Sequence, residues 1–136
     1  MQTASPKKVL TNGCFDPFHV GHLYHFTAAR KFADLLVVAV TRNGFVNKGK
    51  NRPIFDEEER AAVIRALAIV DDVILVESSL EALCEVQPAI WAIGKEYEHR
   101  IRWEDEEHCR RSGIQIRFTN EKTYSSTVLC DRLRRG

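Results

Sequence analysis

Branched apolar runs and amphipathic stretches alternate along the whole chain. The first run, KVLT at 8–11, is β-rich and stops at the turn dipeptide Asn12-Gly13. Residues 21–33 place Leu23, Phe26, Ala29 and Ala33 three to four apart, the spacing of a buried helical face. LLVVAV at 35–40 is apolar throughout, as a strand is when helices cover both faces of its sheet. The basic, glycine-containing stretch 43–53 (NGFVNKGKNRP) predicts a loop. Asp56 with Glu59 predicts a reciprocal helix cap ahead of the stripe Ala61, Ile64, Leu67 and Ala68. A third strand follows at 71–77, then a helix opened by Ser78 or Ser79 and ended by Pro88. A fourth strand covers 89–94, a charged helix about 103–111 closes at Gly113, and a fifth strand covers 114–118. The last helix begins at Ser125 or Ser126.

Strands joined by helical segments imply βαβ units with right-handed crossovers. The prediction is therefore an α/β fold: one domain over 1–136, a doubly wound, five-stranded parallel sheet with helices on both faces, Rossmann-like in arrangement. Composition agrees: 136 residues with 44% hydrophobic and 29% charged can build one core without disulfides or a structural metal. Twenty Lys and Arg against nineteen Asp and Glu leave a net charge of +1, which provides no field for nucleic acid or a membrane surface. No apolar run approaches the roughly 20 residues of a membrane span. The N-terminus MQTASPKK has no hydrophobic signal region, so a cytoplasmic location is expected. Cys14, Cys84, Cys109 and Cys130 lack CxxC spacing and are expected as reduced thiols, with Cys84 and Cys130 in the core. The spacing of His99, His108 and Cys109 fits no zinc pattern. Trp91 falls in a strand, and Tyr97 and Trp103 lie among charges of both signs rather than on a basic stacking surface.

Ligands on doubly wound sheets bind beyond the strand C-termini, where the strand order reverses. This points to the first strand–helix connection, Thr11-Asn12-Gly13-Cys14-Phe15-Asp16-Pro17-Phe18-His19-Val20-Gly21-His22. It contains neither GxGxxG nor GxxxxGK[ST]. It offers two imidazoles, at i and i+3, with a glycine between them at the mouth of a helix. Free amides and the positive end of the helix dipole point the same way, and Gly21 removes a side chain where a phosphate would approach. The set makes a polyphosphate cradle with two donors whose hydrogen bonds strengthen as charge develops on phosphorus. His25, one turn further on, is expected to be structural.

The run resembles the HxGH signature of the nucleotidylyltransferase superfamily, in its G-x-F-D-x-x-H-x-G-H context. Gly13, Phe15, Asp16, His19, Gly21 and His22 all match. Lys48-Gly49-x-x-Arg52-Pro53 with Glu59-Arg60 resembles the second motif of bacterial heptose-1-phosphate nucleotidylyltransferases. Val70-Asp71 is similar to that group and to the glycerol-3-phosphate cytidylyltransferases, and Tyr124-Ser125-Ser126-Thr127 resembles the Ser-Thr-Thr motif that opens the last helix. The matches run from about residue 8 to 134. The resemblance implies transfer of CMP or AMP from CTP or ATP to a phosphorylated small molecule, first a sugar-1-phosphate, with release of pyrophosphate. His19, His22 and Lys48 would act on the phosphates. Thr11 to Asp16, Gly21, Gly94, Tyr124, Ser125, Ser126 and Thr127 would hold the nucleotide. Mg²⁺ would accompany the triphosphate without a cage of protein ligands, and a homodimer is implied.

Arg52 would assist at the acceptor or pair with the acidic helix after it, and Arg60 is expected to brace its own helix. Asp71 would bind acceptor or cap the turn into its strand. The chain departs from the family at Gly94-Lys95-Glu96-Tyr97, where relatives carry Gly or Asp after the first glycine. Lys95 there would bind an acceptor or nucleotide phosphate, or be an ordinary surface lysine, and Glu96 joins it on the acceptor side. Three alternatives remain: a glycerol-3-phosphate cytidylyltransferase, a coenzyme-precursor adenylyltransferase or acyl ligase of the same superfamily, and a catalytically silent nucleotide-binding module.

Overall fold

The computed structural model describes residues 5–120 and 126–135, with the backbone alone for 126–129. Five strands form one parallel sheet in the order β3-β2-β1-β4-β5: β1 (Lys8–Gly13), β2 (Leu35–Thr41), β3 (Asp72–Val76), β4 (Ile90–Gly94) and β5 (Gln115–Thr119). The helices between them are α1 (Val20–Arg30), α2 (Glu57–Arg65), α3 (Ser79–Val86) and α4 (Trp103–Ser112), and α5 (Ser126–Arg135) ends the described chain. Successive strand residues face opposite sides, so the sheet buries two cores. Val9 and Val38 pack with Phe26 of α1 and Ile64 of α2 on one face. Leu10, Ala39 and Trp91 pack with Leu83 of α3 and Cys109 of α4 on the other. The chain winds outward from β1 through β2 and β3, then returns over the second face to β4. The strand order therefore reverses between β1 and β4, as the sequence pattern predicts. Among the described residues no helix is long and apolar enough to cross a membrane.

Several local predictions resolve. Asp56 Oδ1 accepts from the Glu59 amide at 2.8 Å and Glu59 Oε1 accepts from the Asp56 amide at 3.1 Å, closing the reciprocal cap. Ser78 is the cap of α3, accepting from the Glu81 amide at 3.1 Å. Gly113, at φ +71, ends α4 in the left-handed conformation that favours glycine. β1 runs on through the expected turn, because Asn12 and Gly13 pair with Ala39 and Val40. A 3₁₀ turn at Lys95–Arg100, absent from the sequence prediction, follows β4. Cys130 is buried but Cys84 is exposed: Ala82 and Leu83 turn α3's apolar face to the sheet, which leaves the next position outside.

Two buried arginines fix the loops around the sheet's C-terminal edge. Asp16, 1% exposed, accepts from Arg52 Nε at 2.9 Å, from the Ile54 amide at 2.7 Å and from the Phe55 amide at 2.9 Å. Arg52 also donates to the Asp16 carbonyl. This corrects two expectations. Arg52 pairs with Asp16 rather than with α2 or an acceptor, and Asp16 spends its carboxylate on the loop rather than on nucleotide. Arg60 does more than brace its own helix, since it donates to the carbonyls of Cys14 (2.9 Å), Thr41 (2.7 Å) and Phe55 (2.9 Å) and to Asn43 Oδ1 (2.8 Å). Asp71 is also corrected. It stands at the N-terminal edge, where Oδ2 accepts from the Leu36 amide at 2.7 Å and lies 3.4 Å from Arg30 Nε, with the sheet between it and the C-terminal edge.

Burial alone pushes the Asp16 carboxyl up, but the Phe55 and Ile54 amides and the Arg52 guanidinium outweigh it and hold it below the usual carboxylate range. Its contribution to stability is therefore complete above the ordinary carboxyl pKa of about 4 and is lost as pH falls through the lower folded value. Asp16→Asn leaves a buried guanidinium without its counter-charge and should cost about 3 kcal/mol in urea unfolding at neutral pH. The gap from the parent protein should narrow in acid. An unchanged gap would show that the carboxylate charge is not what holds the loop.

Candidate active site

A cavity of about 370 Å³ opens at the C-terminal edge over β1 and β4, where the strand order reverses. Of the residues singled out in the sequence, Thr11, Asn12, Gly13, Cys14, Phe15, Asp16, Gly21, His22, Lys48, Arg52, Gly94 and Glu96 line it. His19 is not among the lining residues; its ring stacks on that of His22 with centroids 3.8 Å apart. Lys95 is exposed and does not line the cavity: the 3₁₀ turn carries Glu96, Tyr97 and Arg100 to the wall and turns Lys95 outward, which corrects its assignment to the acceptor. A Cβ at Gly94 would sit 2.9 Å from a Glu96 carboxylate oxygen, so the turn passes close over that glycine. Tyr124 and Ser125 fall outside the described residues, and Ser126 and Thr127 are described only as the first backbone turn of α5.

The two imidazoles cap their own helix. His19 Nδ1 accepts from the Gly21 amide at 3.1 Å, and His22 Nδ1 accepts from the His19 amide at 3.2 Å. This is the reciprocal capping geometry that Asp56 and Glu59 build on α2, made here with rings instead of carboxylates. A neutral imidazole that accepts at Nδ1 carries its proton on Nε2, so the backbone sets both rings as Nε2–H donors. Burial lowers the affinity of both rings for a second proton. For His22, burial and repulsion from His19, His25 and Lys48 bring the pKa from 6.5 to about 3. Phe15 helps hold the rings: at φ +52, a conformation that costs a non-glycine residue about 1 kcal/mol or more, its ring meets His22 edge-on at 5.0 Å and Phe26 at 5.2 Å.

Sequence reasoning passed over several wall residues. His25 is structural as expected, its ring nitrogens 2.6 Å from both Thr11 Oγ1 and Thr119 Oγ1, yet it also lines the cavity and ties β1, α1 and β5 together. Ser79, Trp91, Arg102 and Asp105 line the wall on the α3–α4 side. Trp91 reads as core because most of it is core; only its indole Nε1 reaches a polar partner, Asn12 Oδ1, at 2.9 Å. Asp105 reads as one more charge on a solvated helix, yet it is 3% exposed. Among the described residues no group of three His, Cys, Asp or Glu side chains is placed to hold a metal ion.

Comparison with known proteins joins this geometry to a family. A family model described as cytidylyltransferase-like matches residues 10–129. The chain is 43% identical over 93 residues to the bifunctional protein HldE of Koribacter versatilis, covering 65% of this chain and 19% of that protein. It is 39% identical over 100 residues to the HldE of Geotalea uraniireducens, covering 71% and 20%. The chain thus spans about a fifth of the length of these curated relatives. Among solved structures, the lipopolysaccharide core biosynthesis protein of Thermoplasma volcanium superposes with a TM-score of 0.72 at 29% identity, over 89% of this chain and all of that one. With a family model matched from the middle of β1 into α5, the chain belongs to the cytidylyltransferase-like family.

Proposed function

We propose that the protein transfers a nucleoside monophosphate, CMP or AMP, from CTP or ATP to a sugar-1-phosphate or closely related polyol phosphate. The observation that carries this reading is the pair of backbone-oriented imidazoles at the start of α1. In this reading the triphosphate lies against that helix start, and an oxygen of the acceptor phosphate attacks the α-phosphorus in line. The new P–O bond forms as the bond to the β-phosphate oxygen breaks, and pyrophosphate leaves with the electron pair. The acceptor phosphate is already anionic at neutral pH, so no general base is needed. The chain's task is positioning and charge stabilisation.

The rings suit that task as neutral donors. An Nε2–H held in place strengthens its hydrogen bond as negative charge grows on the phosphoryl oxygens, with no proton to move and no reorganisation to supply. Lys48, exposed on the loop that Asp16 anchors, would bring the cationic charge. The first turn of α5, after Tyr124-Ser125, would add helix-start amides as a second cradle. Of the cavity's carboxylates Asp16 is committed to its loop, and Glu96 stands as a separate oxygen donor. That suits Mg²⁺, which keeps most of its ligands as water and phosphate oxygen. Bound with the nucleotide, the ion would offset phosphate charge.

The test is pyrophosphate release with CTP or ATP, Mg²⁺ and a panel of sugar-1-phosphates and glycerol 3-phosphate. Nucleotide binding in calorimetry with no release from any acceptor would favour a silent binding module and defeat the transferase reading. His22→Asn keeps an acceptor where Nδ1 stood and deletes the Nε2–H. It should lower kcat about 100-fold or more while leaving the thermal midpoint near the parent value. His22→Ala also removes the cap and should add about 1 kcal/mol of destabilisation. Equal activity of the two proteins and the parent would exclude the ring as a phosphate donor. Lys48→Met should lower kcat/KM with no change in stability, because the side chain is exposed.

Nitrogen-detected NMR of the imidazoles gives an independent check. Folding depresses the His22 pKa, so above pH 6.5 the ring is neutral whether the chain is folded or not; as pH falls below that, only the unfolded chain takes up the proton and the fold loses stability. At pH 6 the folded protein should show His22 neutral, with Nε2 protonated and Nδ1 bare. A protonated Nδ1 would overturn the donor assignment.

A further inference from the structure

The sequence assigned the acceptor to Arg52, Asp71, Lys95 and Glu96, and of these only Glu96 is left with a side chain at the cavity wall that is not already committed. A different set lines the wall on the α3–α4 face. Trp91 Nε1–H donates to Asn12 Oδ1 at 2.9 Å, and the Asn12 amide nitrogen donates to Ser79 Oγ at 3.3 Å. The Ser79 hydroxyl is next to the Asp105 carboxyl: burial, the larger effect, pushes that carboxyl above its usual range, while Arg102 and the Ser79 hydroxyl favour its charged form. Indole can only donate, so it fixes which way the Asn12 amide turns; that leaves Ser79 its single proton for Asp105. All polarity along this chain of groups therefore runs from the core to a carboxylate in the cavity wall. Asp105 is 3% exposed, and its neighbour Arg102 also lines the cavity.

A carboxylate that has taken one hydroxyl still has lone pairs for two or three more donors. Filling them from water is poor in so enclosed a place, and a buried charge without enough hydrogen bonds is costly. The fitting ligand group is a donor. Arg102 beside Asp105, with Arg100 further along the wall, makes a cationic donor such as a quaternary or primary ammonium a poor choice, since it would meet like charge. Neutral hydroxyls remain, and two adjacent ones can bind the two oxygens of one carboxylate together. In the transferase reading the phosphates sit on the other face of the sheet's edge, at α1. A ligand bridging both would have a phosphate at one end and a hydroxylated body at the other.

The geometry points to Asp105, presented by Ser79 and Asn12, as the group that binds a vicinal diol of the acceptor, so that the acceptor is a polyhydroxylated phosphate rather than a phosphorylated amine or acyl carrier. The subsite rests on the transferase reading and adds to it the residues that choose the acceptor. The nucleotide's ribose carries the same diol chemistry, so the test must separate the two sources. Asp105→Asn replaces one acceptor oxygen by a donor at unchanged size. Its KM should be measured for the nucleoside triphosphate and for α-D-mannose 1-phosphate and glycerol 3-phosphate. Phosphocholine and 3-hydroxypropyl phosphate, which lack a vicinal diol, serve as controls.

The expected result is a KM for the hydroxylated acceptor raised about tenfold or more, with the triphosphate KM within about twofold of the parent. Ser79→Ala should move the same constant in the same direction by a smaller factor, and it serves in place of Asp105→Asn should that protein fail to fold. The parent should use the diol acceptor at least about tenfold better than either control. A rise in the triphosphate KM instead would hand the carboxylate to the ribose and overturn the proposal. So would unchanged constants in both variants, or equal use of phosphocholine. A parent protein that releases no pyrophosphate with any acceptor defeats the transferase reading itself, and the subsite with it.

Discussion

The start of α1 carries the constraint on which the cavity depends. Any helix opens with amides that lack partners inside it, and most helices satisfy them with a hydroxyl or a carboxylate. Here two imidazoles do it, and each gives up its Nδ1 to do so. Local backbone satisfaction and chemical readiness are thereby the same hydrogen bonds. A ring that must accept at one nitrogen must donate at the other, so orientation, tautomer and charge state follow from a cap. α2 makes the comparison sharp. Its first turn holds Glu57, Glu58 and Glu59, which complement the positive end of its own dipole, whereas the first turn of α1 holds no acidic residue. α1 is left with a positive end facing the cavity, which suits a phosphate and not a side chain.

A second layer of buried charge keeps the surroundings of that helix start in place. Taking Asp16 and Arg52 out of water is expensive, and an apolar pair of similar volume would often be as stable. The ion pair does what an apolar pair cannot: the same carboxylate takes the Ile54 and Phe55 amides, so the segment that leads into α2 acquires a fixed attachment to the first strand–helix connection. Arg60 completes the frame from α2, collecting carbonyls from the ends of β1 and β2 and from the loop before its own helix. Lys48 belongs to that tethered loop, and its reach to the cavity is bounded by these attachments.

How much of this could be read beforehand follows from the kind of signal each feature leaves. The sheet was legible because burial on both faces writes a continuous apolar run, as in β2, and because caps such as Asp56 with Glu59 are local. The imidazole pair was legible for the same reason: its spacing is a property of one helical turn. What failed was long-range. Asp71 is the exception, since opening a strand of a parallel sheet already puts it at the N-terminal edge, but nothing near Arg52 says that Asp16, 36 positions away, will claim it. Lys95 misleads because a residue just past a strand end reads as continuing that strand, whereas the 3₁₀ turn rotates it outward. Asp105 was hidden by averaging: a helix with charges on most of its surface gives no hint that one of them points into a cavity.

The reversal of strand order explains why the cavity can serve two different chemistries at once. Among the described strands, β1 alone is flanked on one side by a partner reached across the first face and on the other by a partner reached across the second. Alternate residues at its end must then look into both layers: Thr11 toward α1, where it meets His25, and Asn12 toward α3 and α4, where it meets Trp91 and Ser79. One residue's step along the strand thus separates a wall of nitrogen donors and helix-start amides from a wall that ends in an acceptor carboxylate. A donor wall selects phosphate and an acceptor wall selects hydroxyl. On the proposed reading, a molecule carrying both would satisfy the two layers together, and the β1–β4 junction is where the fold makes them adjacent.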